Sequence, residues 1–138
     1  MKALPLILAV LLLGCGSSDD ADAPIVYERG GGIAGNSFRI EVDSDGSAVL
    51  TTRRGTEERT EEFELTGEEL EAVRSRLADA DFDALGERMS EDCFDCYLYS
   101  VEYGNERASA DSATLSEEFN DATEPIHVLV VERLPPSF

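Results

Sequence analysis

Ser37-Phe38-Arg39-Ile40-Glu41-Val42-Asp43-Ser44-Asp45-Gly46-Ser47-Ala48-Val49-Leu50-Thr51-Thr52 reads as two strands and the turn that joins them. Phe38, Ile40 and Val42 alternate with Arg39, Glu41 and Asp43, the period-two pattern of a strand buried on one face. Asp43-Ser44-Asp45-Gly46 has the composition of a tight turn, so residues 48–52 run back as the hairpin partner. The same four residues resemble half of a calcium loop. An EF-hand loop, however, needs a third oxygen ligand before its glycine and a Glu at position twelve, where this chain has Arg54. A hairpin turn accounts for these residues without a metal.

Downstream, the charged stretch 53–62 reads as an exposed connection leading to a strand around 61–65. Thr66 and Glu69 then form a capping box, and Leu65 and Leu70 stand at the two positions of a hydrophobic staple. Leu70, Val73 and Leu77 repeat at helical spacing while Glu68, Glu71, Arg74 and Arg76 face water, which places a helix at about Gly67–Asp79. Its apolar stripe suits a role covering the adjacent strands. Tyr97, Tyr99, Val101 and Tyr103 alternate with Leu98, Ser100 and Glu102 as a second clear strand, and Gly104-Asn105 turns it back into residues 106–111. Residues 115–120 suit a short helical turn. Residues 126–134 carry both helical and β-branched signals, and Thr123 as N-cap with Pro125 in the first turn favours a helix. The expected fold class is therefore α+β: antiparallel hairpins packed against a central helix and a C-terminal helix, in a single domain over residues 25–138.

Upstream, Ile25-Val26-Tyr27-Glu28 is a short strand entering Gly30-Gly31-Gly32-Ile33-Ala34-Gly35. The spacing of Gly30, Gly32 and Gly35 satisfies the dinucleotide fingerprint. That motif requires the turn to open a helix whose N-terminus meets pyrophosphate, whereas this one opens the strand at Ser37. A glycine loop that allows positive φ and close backbone approach is what remains.

Residues 1–14 have the plan of a signal peptide: Met1-Lys2 is a positive start, and a short apolar run follows that falls below the ~20 residues of a membrane span. Leu12-Leu13-Gly14-Cys15 resembles a lipobox, so Cys15 is expected to become the mature N-terminus and carry diacylglycerol and palmitate. Residues 15–24 then form an acidic, flexible tether. The expected location is the cell envelope, lipid-anchored and facing the periplasm or the exterior.

Charge and cysteine usage narrow the chemistry. The chain has 138 residues, with 30 acidic against 11 basic side chains and a formal charge of −19. Nucleic acid is excluded as a partner, because phosphate contacts need a basic patch. With one histidine, His127, and no paired-acid or Ser-His-Asp arrangement, the residues offer no reaction, no resident metal and no cofactor. Cys93-Phe94-Asp95-Cys96 could bind zinc only with two further ligands. As a redox site it would lack the helix N-terminus that depresses a thiol pKa, and Asp92 and Asp95 act the other way. Once Cys15 is lipidated, Cys93 and Cys96 are the only thiols left, and in an oxidising compartment they pair as a structural disulfide.

Arg29-Gly30-Gly31-Gly32-Ile33-Ala34-Gly35, the hairpin that follows, the helix ending in Ala78-Asp79-Ala80-Asp81-Phe82, and the Tyr-rich strand from Cys96 together resemble the emfourin family. These are small α+β inhibitors of thermolysin-like zinc metalloproteases. The likeness spans residues 25–134, and its most specific part is the pattern R-x-G-G-I-A-G at Arg29, Gly31, Gly32, Ile33, Ala34 and Gly35. The resemblance implies a monomeric, non-enzymatic inhibitor that occupies a protease cleft, with Arg29, Gly30, Gly31, Gly32, Ile33, Ala34, Gly35 and Asn36 at the contact. The Gly104-Asn105 turn would supply additional surface. An inhibitor calls for a solvent-exposed glycine loop. The alternative, a non-catalytic envelope lipoprotein serving as a binding or scaffold module, calls for a loop buried as a structural bulge.

Overall fold

Phe38, Ile40 and Val42 are buried and Arg39 and Glu41 exposed in the computed structural model, as the alternation demands. The structure describes residues 22–138. The signal segment 1–14, Cys15 and most of the tether lie outside them. The chain runs β1 (Ile25–Gly31), β2 (Ser37–Val42), β3 (Ser47–Arg54), β4 (Glu57–Glu64), α1 (Gly67–Asp79), α2 (Phe82–Leu85), β5 (Glu87–Arg88), β6 (Tyr97–Tyr103), β7 (Glu106–Asp111) and α3 (Glu117–Val131). The strands form one seven-stranded sheet in the order β4-β3-β2-β1-β6-β7-β5, antiparallel throughout except for the short β5–β7 pair. The α+β class, with a central and a C-terminal helix on an antiparallel sheet, is what the structure shows.

One continuous core joins the sheet to the helices. Ile25, Tyr27, Phe38, Ile40, Leu50, Val101 and Ala108 meet Val73 and Leu77 of α1 and Phe119, Ile126 and Val130 of α3. The other face of the sheet carries polar side chains, among them Glu28, Arg39 and Glu41, tied by ion pairs of 2.6 and 2.8 Å.

α1 begins where its local signals place it. Thr66 accepts the Glu69 amide at 3.2 Å, and Glu69 accepts the Thr66 amide at 2.8 Å. The helix stops at Ala80, which is extended. Asp81 then caps α2, a short turn that sequence periodicity does not reveal and that folds Phe82 and Leu85 into the core.

Three expectations are corrected. Residues 53–62 are not a connection: β3 continues through Arg54, turns at Gly55 and returns as β4, a charged edge strand with only Glu61 and Phe63 half-buried. Charge on an edge strand blocks pairing with another chain, which explains why it reads as a loop. The C-terminal helix starts at Ser116, whose hydroxyl accepts the Phe119 amide at 3.1 Å. Thr123 is not a cap: it is buried mid-helix, its hydroxyl donating to the Phe119 carbonyl at 2.9 Å, and Pro125 lies inside the helix. Finally, β1 runs through Gly30 and Gly31 without a bulge, so two of the loop glycines belong to the strand.

Candidate functional site

The glycine segment divides into a fixed base and an exposed tip. Gly30 and Gly31 pair with Leu98 and Tyr97 of β6. Gly31 has φ of +82°, and a Cβ there would stand 2.9 Å from the Cys96 carbonyl oxygen. At Gly32, φ is +76° and a Cβ would lie 2.8 Å from the Tyr97 ring, while the Gly32 amide donates to the Cys96 carbonyl at 3.2 Å. A side chain at Gly31 would push β1 off the backbone beside it and one at Gly32 would displace the Tyr97 ring, so both glycines have a packing reason. Beyond them the chain turns outward. The Gly35 amide donates to the Gly32 carbonyl at 3.3 Å, closing a turn over Ile33 and Ala34. Ile33 is 86% exposed, and Ala34 and Gly35 are exposed with it. Asn36 leads back to β2 with its side-chain oxygen buried and without a hydrogen-bond partner among the described residues.

Arg29 sits at the inner side of this base. Its guanidinium carbon lies 4.4 Å from the centre of the Tyr97 ring, 5.0 Å from Phe38 and 5.5 Å from Phe138. Its buried Nε has no hydrogen-bond partner among the described residues, so the rings are what hold the cation there. Close by, the Tyr27 hydroxyl is 3.0 Å from Nδ1 of His127, the sole histidine. Burial, and then the Arg29 charge, hold His127 below its ordinary pKa of 6.5, so the imidazole that shares this hydrogen bond with the Tyr27 hydroxyl is neutral at neutral pH. Burial raises the Tyr27 pKa well above that of a free phenol. The pair thus fastens β1 to α3 as neutral groups.

The disulfide loop lies beside the glycine loop. Cys93 and Cys96 are bonded, with Cα atoms 5.6 Å apart, and the Cys96 carbonyl is the one that accepts the Gly32 amide. Both ends of residues 89–96 are tied to the end of β7. Buried Asp111 accepts the Ser90 amide, and the amides of Ala113 and Thr114 at 2.9 Å each. The Ser90 amide first, and the Thr114 and Ala113 groups with it, hold the Asp111 carboxyl below the usual carboxylate range against the opposing effect of burial. At the other end the Tyr97 amide donates to the Ser112 hydroxyl at 3.2 Å. Phe94 projects from this frame and is 100% exposed.

The remaining site expectations fall as follows. The bonded Cys93 and Cys96 have no free thiol to offer. Among the described residues no group of three or more His, Cys, Asp or Glu is placed to hold a metal. Asp45 accepts the Ser47 amide at 2.9 Å, so the Asp43–Gly46 segment serves as the hairpin turn. The Gly104-Asn105 turn does not adjoin the glycine loop. The Gly104 amide donates to the Pro24 carbonyl at 3.1 Å, and Tyr103 pairs with Ile25, which puts this turn at the opposite end of β1. Sequence reasoning also passes over a cleft of about 650 Å³ between α1, α2 and α3, whose rim mixes Arg76 and Arg88 with Asp79, Asp81 and Asp121. Neither the family models nor the curated proteins contain a match to this chain, so the reading of the site rests on its own residues.

Proposed function

We propose that this chain is a membrane-tethered, non-catalytic lipoprotein that inhibits a thermolysin-like metalloprotease by placing the tip of its glycine loop in the enzyme's cleft. The observation that carries the reading is the exposure of Ile33, 86%, on a turn whose base is pinned to β6. A tip held this way loses little freedom on binding, which lowers the entropic penalty of an otherwise glycine-rich contact. The polarity of β1 supports the same reading. The strand enters from the tether side at Ile25 and reaches the loop after seven residues, about 20 Å at the usual rise, so the tip stands at the end of β1 far from the tether. The acidic body favours a basic or calcium-rich target surface and speeds encounter at low salt.

The test is a titration of thermolysin-like proteases with the chain from residue 16 onward, which contains every described element. Inhibition at micromolar concentration is expected, and Ile33→Asp, at a position with almost no internal contact, should weaken it without altering stability. The packing of Gly31 and Gly32 favours a second reading, a scaffold module, because both glycines have a structural reason to exist without any partner. Intact activity across the panel would leave that second reading in place of the first.

A further inference from the structure

Four of the six large apolar side chains exposed among the described residues gather at one end of the sheet. They are Ile33 and Phe94 on the two loops, Leu98 at the start of β6 (43% exposed), and Met89 just beyond β5 (51%). The register brings them together: Leu98 pairs with Gly30 on one side and with Asp111 on the other, and Arg88 pairs with Ala110. Single exposed apolar residues are ordinary on a protein surface, but several at one end of a sheet, one of them a fully exposed aromatic ring, mark a contact.

The disulfide loop that carries Phe94 is both fixed and charged. It is closed by Cys93–Cys96 and rooted on Asp111 and Ser112. Glu91, Asp92 and Asp95 surround Phe94, all exposed, and residues 89–97 contain no Lys or Arg. Elsewhere the acids of the open sheet face pair with arginines, as in Glu28 with Arg39 and Glu102 with Arg107. Among the described residues, the three acids around Phe94 have no ion pair of this kind.

We infer that the Cys93–Cys96 loop is a second binding element, a rigid knob whose Phe94 ring enters an apolar pocket rimmed by lysine or arginine on a protein partner. An aromatic ring on a constrained loop is the kind of anchor that dominates interfaces, and the acidic collar selects the charge of the surroundings. An anionic bilayer does not fit, because the collar would be repelled from it. This element is separate from the glycine tip on which the inhibitor reading rests, and it makes no demand that the partner be a protease.

The experiment places a benzophenone amino acid at position 94, at position 33, or at exposed Val128 of α3 as a control, in the full-length chain in its own cell envelope. Irradiation should give one protein adduct from position 94, mapped to a segment with apolar residues flanked by Lys or Arg. Asp92→Lys with Asp95→Lys should reduce its yield at least about tenfold, and Phe94→Ala should weaken binding to the purified partner by at least about tenfold. The inference is overturned by an adduct to phospholipid alone, by no adduct above the Val128 control, or by a yield indifferent to the charge reversal. A position-94 adduct with a protein other than a metalloprotease upholds the knob and leaves the inhibitor reading to its own titration. A metalloprotease adduct from position 33, with none from position 94, upholds the inhibitor reading and overturns the knob.

Discussion

The guanidinium of Arg29 lies 4.4 Å from the centre of the Tyr97 ring, and the same ring leaves no room for a side chain at Gly32. Tyr97 therefore locks the base of the glycine loop through two neighbours of β1. It ties the disulfide loop to the same point, since Cys96 precedes it and its amide is held by Ser112. The two loops at this end of the sheet share one foundation, and its parts can be separated by substitution.

Gly32→Ala places a Cβ 2.8 Å from the Tyr97 ring at a φ of +76° and should destabilise by about 1–3 kcal/mol. Gly35→Ala also meets a positive φ, +63°, but in open space, so the smaller loss of about 1 kcal/mol is expected. Arg29→Lys keeps the charge and loses the planar stack, at about 1 kcal/mol. Urea unfolding of the three variants checks the order. Equal losses at Gly32 and Gly35 would mean that the Tyr97 contact contributes nothing.

These contacts also show what a sequence can and cannot convey. The capping box at Thr66 and the alternation from Phe38 to Val42 are local signals, and each element formed where they stand. β4 is mostly acidic along an exposed edge, so only its end near Phe63 reads as a strand. Thr123 and Pro125 mimic a helix start, yet Ser116 caps the helix one turn and more upstream. The helix runs through Pro125 because its buried face, Phe119, Ala122, Ile126 and Val130, outweighs one lost hydrogen bond to the carbonyl of exposed Asp121. At the site, the glycine run was legible as a loop and the C-x-x-C as a disulfide. The division of the loop was not, because it depends on Tyr97, which lies far off in the chain. Asp111, which roots the disulfide loop, looks in the sequence like one more acid among 30.

Removing the disulfide should cost little. Closing so short a loop stabilises by about 2 kcal/mol on the chain-entropy estimate, and Asp111 and Ser112 hold the loop ends independently. Cys93→Ser with Cys96→Ser should therefore keep the fold and lower stability by no more than that. Asp111→Ala strands the amides of Ser90, Ala113 and Thr114 and should be the more damaging change. Mass spectrometry of the unreduced protein should find the peptide containing both cysteines two hydrogens light.

Lipidation at Cys15 is tested by metabolic labelling. Labelled palmitate should enter the wild-type chain and not Cys15→Ser, and the variant should leave the membrane fraction. Equal labelling of both would remove the anchor.

Stability should depend on pH through His127. Its pKa in the folded chain lies below the ordinary 6.5, chiefly through burial and secondarily through Arg29. The unfolded chain therefore takes up the proton first as pH falls, and the stabilisation is complete above about pH 6.5 and declines below it until the folded-state pKa is reached. Asp111 acts in the same direction further down. Its depressed carboxyl contributes fully above its ordinary 3.8, and that contribution is lost as pH falls through the lower folded-state value. Denaturant midpoints measured from pH 8 to pH 3 should thus fall in two separate stages. His127→Gln should abolish the upper stage and leave the lower one. Tyr27→Phe removes the hydroxyl that bonds Nδ1 but neither of the two causes of the shift, so it should lower stability by about 1 kcal/mol at neutral pH and keep the upper stage. A flat profile between pH 7 and pH 5 in the wild type would show that the imidazole takes its proton in the folded chain as readily as in the unfolded one.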